Sequence, residues 1–592
     1  MKFFASLLVV GLSCVALSAP VMAQNNHQRS YPRQSREFQV LRALHIEQGI
    51  ALPFSSGPFS EAELRHALDR IDPAALSPGG RESFQWLIDQ FRSHQERGYH
   101  EEDGRFRIAG QTIVSLEAYL HSDRDNPFME YSWEDRQPIL RFPIEAWITD
   151  GAYGIFDLDI RKNIPDFRRY APLPGDRQIR TDEEDPWTNV PINPFTLDTQ
   201  FPHRAFVSLG GDRWNVQLGR DKLDWGNSHT GNLYISDYAD WHDFVRLTTF
   251  WDRFKFSFAW VSLDPYLADD EIEYTRTPGR HGDEVFTPPA PHKNLITQRW
   301  ETRLWGRLGL AYTEGIFLGG EAPDLRHINP VYHFHNLYTN VRKVGNAHRS
   351  FDFDFAITPG LVFYAGITPG QYTSPTLEPN TDITSEPNAY AAMAGIEWIR
   401  GMGPGHVHGV FEAVYTSPWM YIHNNTLTSM TTRRFVLAHH ATSSQVYYDK
   451  PIGHPGGNDH VQLHMDVAYR RAGMYRYGLS TSIRGDGERR INDLLEPRID
   501  TDRPGQETTQ RGGPQTESEA RAISPSGEHP QWTIATTLHG EIEPWFLSGF
   551  NGNSRHLRLG TALSGQWMKN RFNQPSDWEF DVQFILSGSL TL

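Results

Sequence analysis

A single cysteine, Cys14, occurs among 592 residues, so neither a disulfide framework nor a cysteine-rich metal site holds this chain together. Long apolar runs are scarce too. Apolar residues make up 38% of the sequence and the mean hydropathy is −0.54, which excludes a polytopic bundle of membrane helices. Basic residues are outnumbered, 56 Lys and Arg against 72 Asp and Glu, leaving a formal charge of −16. That is the wrong sign for a general nucleic-acid binder. Hydrolase signatures are missing as well: no Gly-x-Ser-x-Gly elbow and no His-Glu-x-x-His pair is present, and Ser228-His229 are mere sequence neighbours. Aromatic residues, in contrast, abound. The 34 Phe, 23 Tyr and 17 Trp need a surface to lie against, which argues against disorder over most of the chain.

The N-terminus reads as an export signal. Lys2, the apolar stretch from Phe3 to Ala19 and the small-residue exit Val21-Met22-Ala23 make residues 1–23 a signal peptide, with cleavage expected before Gln24. Cys14 lies inside it. A lipoprotein reading of Leu12-Ser13-Cys14 competes, but Gly11 fits an acylation site poorly. Residues 24–104 follow as an expected small helical bundle. Leu41, Leu44 and His45 start an amphipathic pattern; Ser60-Glu61-Ala62-Glu63 forms a capping box ahead of Leu64, Ala67, Leu68 and Ile71. Ser77-Pro78 opens a further helix with Phe84, Leu87, Ile88 and Phe91 on one face.

From about residue 105 the hydrophobic period changes from 3.6 to 2 and stays there to the end, residue 592. Trp578, Phe580, Val582, Phe584, Leu586, Gly588, Leu590 and Leu592 fall on one face, opposite Asp577, Glu579, Asp581, Gln583, Ser587 and Ser589. Val461 to Tyr469 and Phe254 to Trp260 repeat the pattern. Tight joints recur at Asp150-Gly151, Gly211-Asp212, Trp251-Asp252-Arg253, Thr358-Pro359-Gly360, Arg400 to Gly405 and Arg471 to Gly473. Between them run long polar connections, at about 162–203, 222–242, 264–294, 319–347, 369–388, 417–459 and 485–530. Alternating short and long joints are what a membrane barrel with periplasmic turns and external loops requires. The expected fold is therefore an all-β transmembrane barrel of about 18 antiparallel strands over residues 105–592, both ends periplasmic, with the helical bundle beside it. Trp147, Trp214, Trp260, Trp398, Tyr415 and Trp567 are expected in its aromatic girdles. A soluble all-β protein is the competing class.

Three segments carry a family resemblance. The first is Leu218-Gly219-Arg220-Asp221-Lys222-Leu223-Asp224-Trp225-Gly226 with Gly231-Asn232-Leu233-Tyr234-Ile235-Ser236; the second is Ser350 to Tyr364 around Pro359-Gly360-Leu361; the third is Tyr447-Tyr448-Asp449-Lys450-Pro451-Ile452-Gly453-His454 through Asn458-Asp459. In this order they resemble the Wzi-type outer-membrane capsule assembly proteins, from Leu52 to about Gly485. Around Ile367 to Asn388 and over 485–530 the sequence departs from the pattern. The resemblance implies a non-catalytic, lectin-like protein that binds and organises capsular or other surface polysaccharide at the outer membrane of a Gram-negative-type bacterium.

A sugar site wants aromatic faces beside amides, carboxylates and guanidinium groups. The loops offer Trp225, Asn227, His229, Tyr234, Tyr238 and Trp241, and Trp419, Tyr421, Tyr447, Tyr448, His454 and Asp459; loop packing is the alternative role for each. Asp157, Asp159, Arg161, Asp352, Asp354, His556 and Arg558 are expected to line the lumen, as a water path or as interlocking charge. His333 and His335, like His406 and His408, share a face on a strand, as do Asp352 and Asp354, yet no ligand set can be completed. No cofactor and no metal is expected. Arg433, Arg434, Arg489 and Arg490 are the groups through which an acidic polysaccharide could overcome the net charge. The expected partners are outer-membrane lipid, surface or capsular polysaccharide and the outer-membrane assembly machinery, with no nucleic acid and a monomeric state. A porin or diffusion channel for small solutes or sugars is the main alternative function, and a hydrolase the third.

Overall fold

The structure is a computed structural model, and it describes residues 26–96, 98–101, 105–122, 136–161, 187–191, 202–265, 292–320, 322–327, 329, 333–334, 345–371, 387–423, 426–439, 444–491, 514, 516–543 and 556–592. Residues 1–25, which include the expected signal peptide and Cys14, lie outside this set, as does His335.

Among the described residues, 18 antiparallel strands close into one barrel. Strand β1 runs in two segments, Phe106–Gly110 and Ile113–His121; β2 is Leu140–Ile148, β3 Ala152–Ile160, β4 Arg204–Gly210, β5 Trp214–Asp221 and β6 His242–Phe250. Next come β7 Phe254–Leu263, β8 Lys293–Leu304, β9 Leu308–Gly319, β10 Gly345–Thr358, β11 Leu361–Gln371 and β12 Ala389–Met402. The last six are β13 Gly405–Thr416, β14 His460–Arg471, β15 Tyr475–Asp486, β16 Gln531–Ile542, β17 His556–Lys569 and β18 Glu579–Thr591. Each pairs with the next, and β18 closes on β1 from Gln583 opposite His121 to Thr591 opposite Ile113. A two-stranded hairpin, Thr431–His439 with Ser444–Pro451, stands in the loop between β13 and β14.

The period-2 pattern is explained by the two faces. Outward positions such as Leu116, Phe156, Val207, Leu247, Phe353, Phe411, Leu479, Leu563 and Leu586 are exposed apolar side chains, a coat that only lipid would cover. Inward positions of the same strands are polar: Glu117, Asp157, Arg246, Arg299, Glu301, Glu397 and Glu412 are buried. Tight joints all fall at one end of the barrel. At the Pro359-Gly360 joint Gly360 has φ +84°, a left-handed value that an L side chain resists. The Trp214, Trp398 and Trp567 rings are exposed on the outer face as girdle residues would be. Trp147 is a correction: Ile144 and Ile148 take the outward positions of β2, so Trp147 points inward, 2% exposed, beneath the Arg107 guanidinium at 3.6 Å.

Among the described residues, three α-helices precede the barrel: α1 Arg36–Gln48, α2 Glu61–Leu68 and α3 Pro78–Glu96. Ser35 caps α1 by accepting from the Phe38 N–H (3.3 Å), and Gly49 ends it in the left-handed region. The capping box at α2 is half formed. Ser60 accepts from the Glu63 N–H, but the Glu63 carboxylate turns to Lys255 of the barrel wall instead of returning to Ser60. Phe38, Leu41, Leu44, Leu64, Leu68, Leu87 and Phe91 share one apolar core. A second core joins the helices to the wall, with Ala43, Ile46 and Leu52 against Val362 and Ile399. The helices therefore dock at the short-turn end of the barrel: the Gly360 N–H donates to Ile46 O (2.7 Å) and the Ala51 N–H to Gly306 O (2.9 Å).

His45 sits fully buried in this junction, its ring nitrogens 2.8 Å from Ala51 O and 3.2 Å from Ala67 O. Burial first, then the nearby Arg70 charge, lowers its pKa from 6.5 to about 3. The folded state thus prefers the neutral ring. Its contribution is complete above pH 6.5 and shrinks as pH falls from 6.5 towards 3. Protease accessibility of the helices is expected to rise on acidification from about pH 7.5 to about pH 5, and His45→Gln is expected to flatten that dependence.

Candidate functional site: the occupied lumen and its loop cap

The chain ahead of α2 and the long loops meet inside the barrel. From the short-turn end, residues 50–57 thread along the inner wall: Leu52 N–H donates to Asp354 (2.9 Å), and Ser55 N–H and Oγ both donate to Glu301 (2.8 and 2.9 Å). Arg303 donates back to the carbonyls of Leu52 and Pro53, each at 2.8 Å. Arg299 joins Asp352 (2.6 Å) to Ser55 Oγ (2.8 Å). From the opposite end, residues 222–239 fold down until Trp225 pairs with Ser56 across a short strand.

Where the two insertions touch lies a buried polar cluster. Arg42 of α1 donates to Glu397 of β12 at 2.6 and 2.9 Å and to Asn227 O at 3.1 Å. Both charged side chains are 1% exposed. Burial by itself lowers the Arg42 pKa, but the facing Glu397 carboxylate outweighs it and the net shift is upward. Glu397 also holds His229 (3.0 Å) and His408 (2.7 Å). Next to it, Glu412 of β13 accepts from Ser228 Oγ (2.8 Å), the backbone N–H groups of His229 and Thr230 (3.0 Å each) and Tyr364 OH (2.8 Å). Ser228 is thereby engaged by a carboxylate, and His229 by another, so these neighbours form no nucleophile and base.

Above the cluster the loops build an apolar core in which Trp225, Leu233, Tyr234, Trp419, Tyr421 and Ile452 pack together. Of the expected sugar-stacking rings, Trp225, Tyr234 and Trp419 are 1% exposed and Tyr421 2%. Their polar atoms are also engaged. Trp225 Nε1–H donates to Gly57 O (3.1 Å), Trp419 Nε1–H to Glu519 O (3.2 Å), and Tyr421 OH to Leu233 O (2.8 Å). Burial pushes the Tyr234 and Tyr421 phenols upward. Asn227 and His454 are buried among these contacts, and the Gly456 N–H donates to His454 Nδ1 (3.1 Å).

Tyr238 and Trp241 form a separate group at the long-loop end. Trp241 is buried, with Arg434 (4.2 Å) and Arg220 (4.8 Å) over its ring and His203 stacked on it at 4.9 Å. Half-buried Tyr238 carries Lys450 over its ring at 4.8 Å, and Lys450 reaches Asp240 at 2.9 Å. Arg433 pairs with Asp449 (2.6 Å) and Arg489 covers Trp419 (4.3 Å). The side chains of Tyr447 and Tyr448 lie outside the described residues.

Asp459 is fully buried and ties the 485–530 loop at both ends: Arg489 N–H donates to it at 3.2 Å, Ser526 N–H at 2.8 Å and Ser526 Oγ–H at 2.6 Å. Asp459→Ala strands those donors, at a cost of about 1–3 kcal/mol. Faster proteolytic nicking of this loop, with barrel heat-stability unchanged, is the expected result.

Of the lumen-lining set, Asp157 pairs with Arg141 and Asp159 with Arg161 on the inner wall. Asp352 and Asp354 hold the entering segment, as above. Arg558 meets Glu543 (3.0 Å) and Glu541 (3.5 Å), which also receive Arg36 of α1. His556 is exposed at the short-turn end of β17. Among the described residues no trio of His, Cys, Asp or Glu is arranged to hold a metal ion. Sequence reasoning missed Arg42, Glu397, Glu412 and Tyr364, because their partners are far away along the chain.

Neither a family model nor a curated protein matches the sequence. Solved structures do match. Wzi, an outer-membrane protein involved in group 1 capsule assembly in Escherichia coli and a carbohydrate-binding β-barrel, aligns over 95% of this chain and 99% of its own, at 14% identity and a TM-score of 0.53. OprD of Pseudomonas aeruginosa aligns over 84% and 96% at 9% identity, with a TM-score of 0.35. OccK3 from the same organism aligns over 82% and 96% at 10% identity, also with a TM-score of 0.35. The likeness to Wzi is one of fold: this chain is an outer-membrane-type β-barrel.

Proposed function

We propose that this protein sits in the outer membrane with both ends periplasmic and holds surface or capsular polysaccharide on its external loops. The observation that carries this reading is the occupied lumen. A wall whose inward carboxylates are spent on Arg42, Ser55, Ser56 and Leu52 is built to retain its insert, which favours display of a loop surface over passage of solute. The carbohydrate binding of Wzi, together with the three motif segments, supports the same direction. Half-buried Tyr238 and the partly exposed Arg220 offer a ring and a cation at the long-loop end, the chemistry that an acidic sugar polymer needs from a chain of negative net charge, while Trp241, Arg434 and Lys450 are themselves buried beside them. The buried rings Trp225, Tyr234, Trp419 and Tyr421 then serve to shape the cap.

A diffusion channel is the second reading. Its support is the inward face of β15 and β17, where Arg476 and Arg558 keep 44% and 45% side-chain exposure. The test is capture by the purified, detergent-solubilised protein of polysaccharide extracted from the producing cells. Saturable capture that Tyr238→Ala weakens supports the proposal; absence of capture together with steady conductance in a planar bilayer supports the channel.

A further inference from the structure

The outer wall carries a recess that a uniform lipid-facing surface does not need. Across β7 to β11, rings crowd one another: Phe256 and Trp300 at 5.6 Å, Trp300 and Tyr312 at 5.7 Å, Tyr312 and Phe351 at 5.0 Å. On β11 the outward residue opposite Phe353 is only an alanine, Ala365. The step down from rings to a methyl group leaves a groove of about 560 Å³, lined by Trp300, Tyr312, Phe351, Phe353, Ala365 and Ile367. It reaches Phe254 and Leu310, next to the joints that end at Arg253 and Arg307. From Arg307 to Tyr312 the strand advances roughly 16 Å, which at a tilt of about 40° descends about 12 Å, most of the ~15 Å depth of one leaflet.

The lower mouth of the groove is marked by charge and by indoles. Trp251 and Trp305 are 48% and 83% exposed there, as interfacial rings are. Arg253 and Arg307 are exposed at the same joints, and among the described residues neither guanidinium has a hydrogen bond or an ion pair. The neighbouring acid Asp252 is engaged by His66 (2.9 Å) and Arg213 (3.1 Å). Two uncommitted arginines at the foot of an apolar slot complement a phosphate with an acyl chain above it.

We propose that this groove is a phospholipid site: one acyl chain of a phospholipid from the leaflet on the short-turn side lies over Ala365, with its phosphate between Arg253 and Arg307. The proposal rests on the membrane orientation given above but not on polysaccharide binding, so each fails separately. The experiment is native mass spectrometry of the full barrel, delipidated in detergent and titrated with phosphatidylglycerol or phosphatidylcholine. One phosphatidylglycerol is expected to stay bound to the wild type, in preference to phosphatidylcholine. Ala365→Trp, which fills the groove, is expected to abolish retention. Arg253→Gln/Arg307→Gln, in exposed joints that leave the fold intact, is expected to weaken it about tenfold and erase the headgroup preference. Heat-modifiable mobility on a gel checks that each variant is a folded barrel. Retention by either folded variant at the wild-type level, or equal retention of both lipids by the wild type, would overturn the proposal.

Discussion

Glu397→Ala is expected to cost about 3–5 kcal/mol and to release the N-terminal segment from the lumen. The carboxylate is the sole anion that Arg42 touches directly among the described residues, and both are 1% exposed. Removing it leaves a guanidinium uncompensated in the barrel interior, a larger loss than deleting the pair would cause. The same substitution strips His229 and His408 of their acceptor, so the loop insertion loosens with α1. Two readouts follow: faster proteolysis of residues 26–96, and conductance steps in a planar bilayer where the wild type shows none. Glu397→Gln keeps one acceptor oxygen and is expected to fall between. Unchanged proteolysis and a silent bilayer for Glu397→Ala would mean that the insert is held by its other contacts alone.

Trp225→Ala is expected to damage the cap instead of deleting a sugar contact. The ring is 1% exposed, packs in the loop core and donates to Gly57 O; truncating such a side chain costs about 3–5 kcal/mol. Loop stability and polysaccharide attachment are therefore expected to fall together. Tyr238→Ala provides the contrast. Tyr238 is half-buried at the long-loop end beside Lys450, so attachment is expected to fall while stability drops by only about 1 kcal/mol. Equal loss of stability in both variants would show Tyr238 to be another packing residue.

The barrel was legible because alternation is a local property. Each strand shows its lipid-facing side in its own residues, and the joints alternate in length along the chain, so about 18 strands could be counted before any pairing was known. Trp147 misled because an aromatic near a strand end reads as a girdle residue on either face; only the register set by Ile144 and Ile148 decides. The loop rings misled for a related reason. A tryptophan in a polar loop looks available to a ligand, yet loops of this length fold on themselves and make their own core, as Trp225, Trp419 and Tyr421 do. The Arg42 to Glu397 contact spans 355 positions, and nothing in spacing or period announces such a pair. Glu397 and Glu412 stand on inward faces, which was readable, but an inward carboxylate can line water or hold an insert, and only tertiary structure separates the two.

The most direct measurement is made on cells: surface-attached and shed polysaccharide in a strain lacking this gene, against the parent and a complemented strain. The expected result is polysaccharide synthesised in normal amount but shed, with attachment restored by the wild-type gene and less well by the one encoding Tyr238→Ala. Attachment equal to the parent's in the deletion strain would contradict polysaccharide holding and leave the barrel to be explained as a route for solutes.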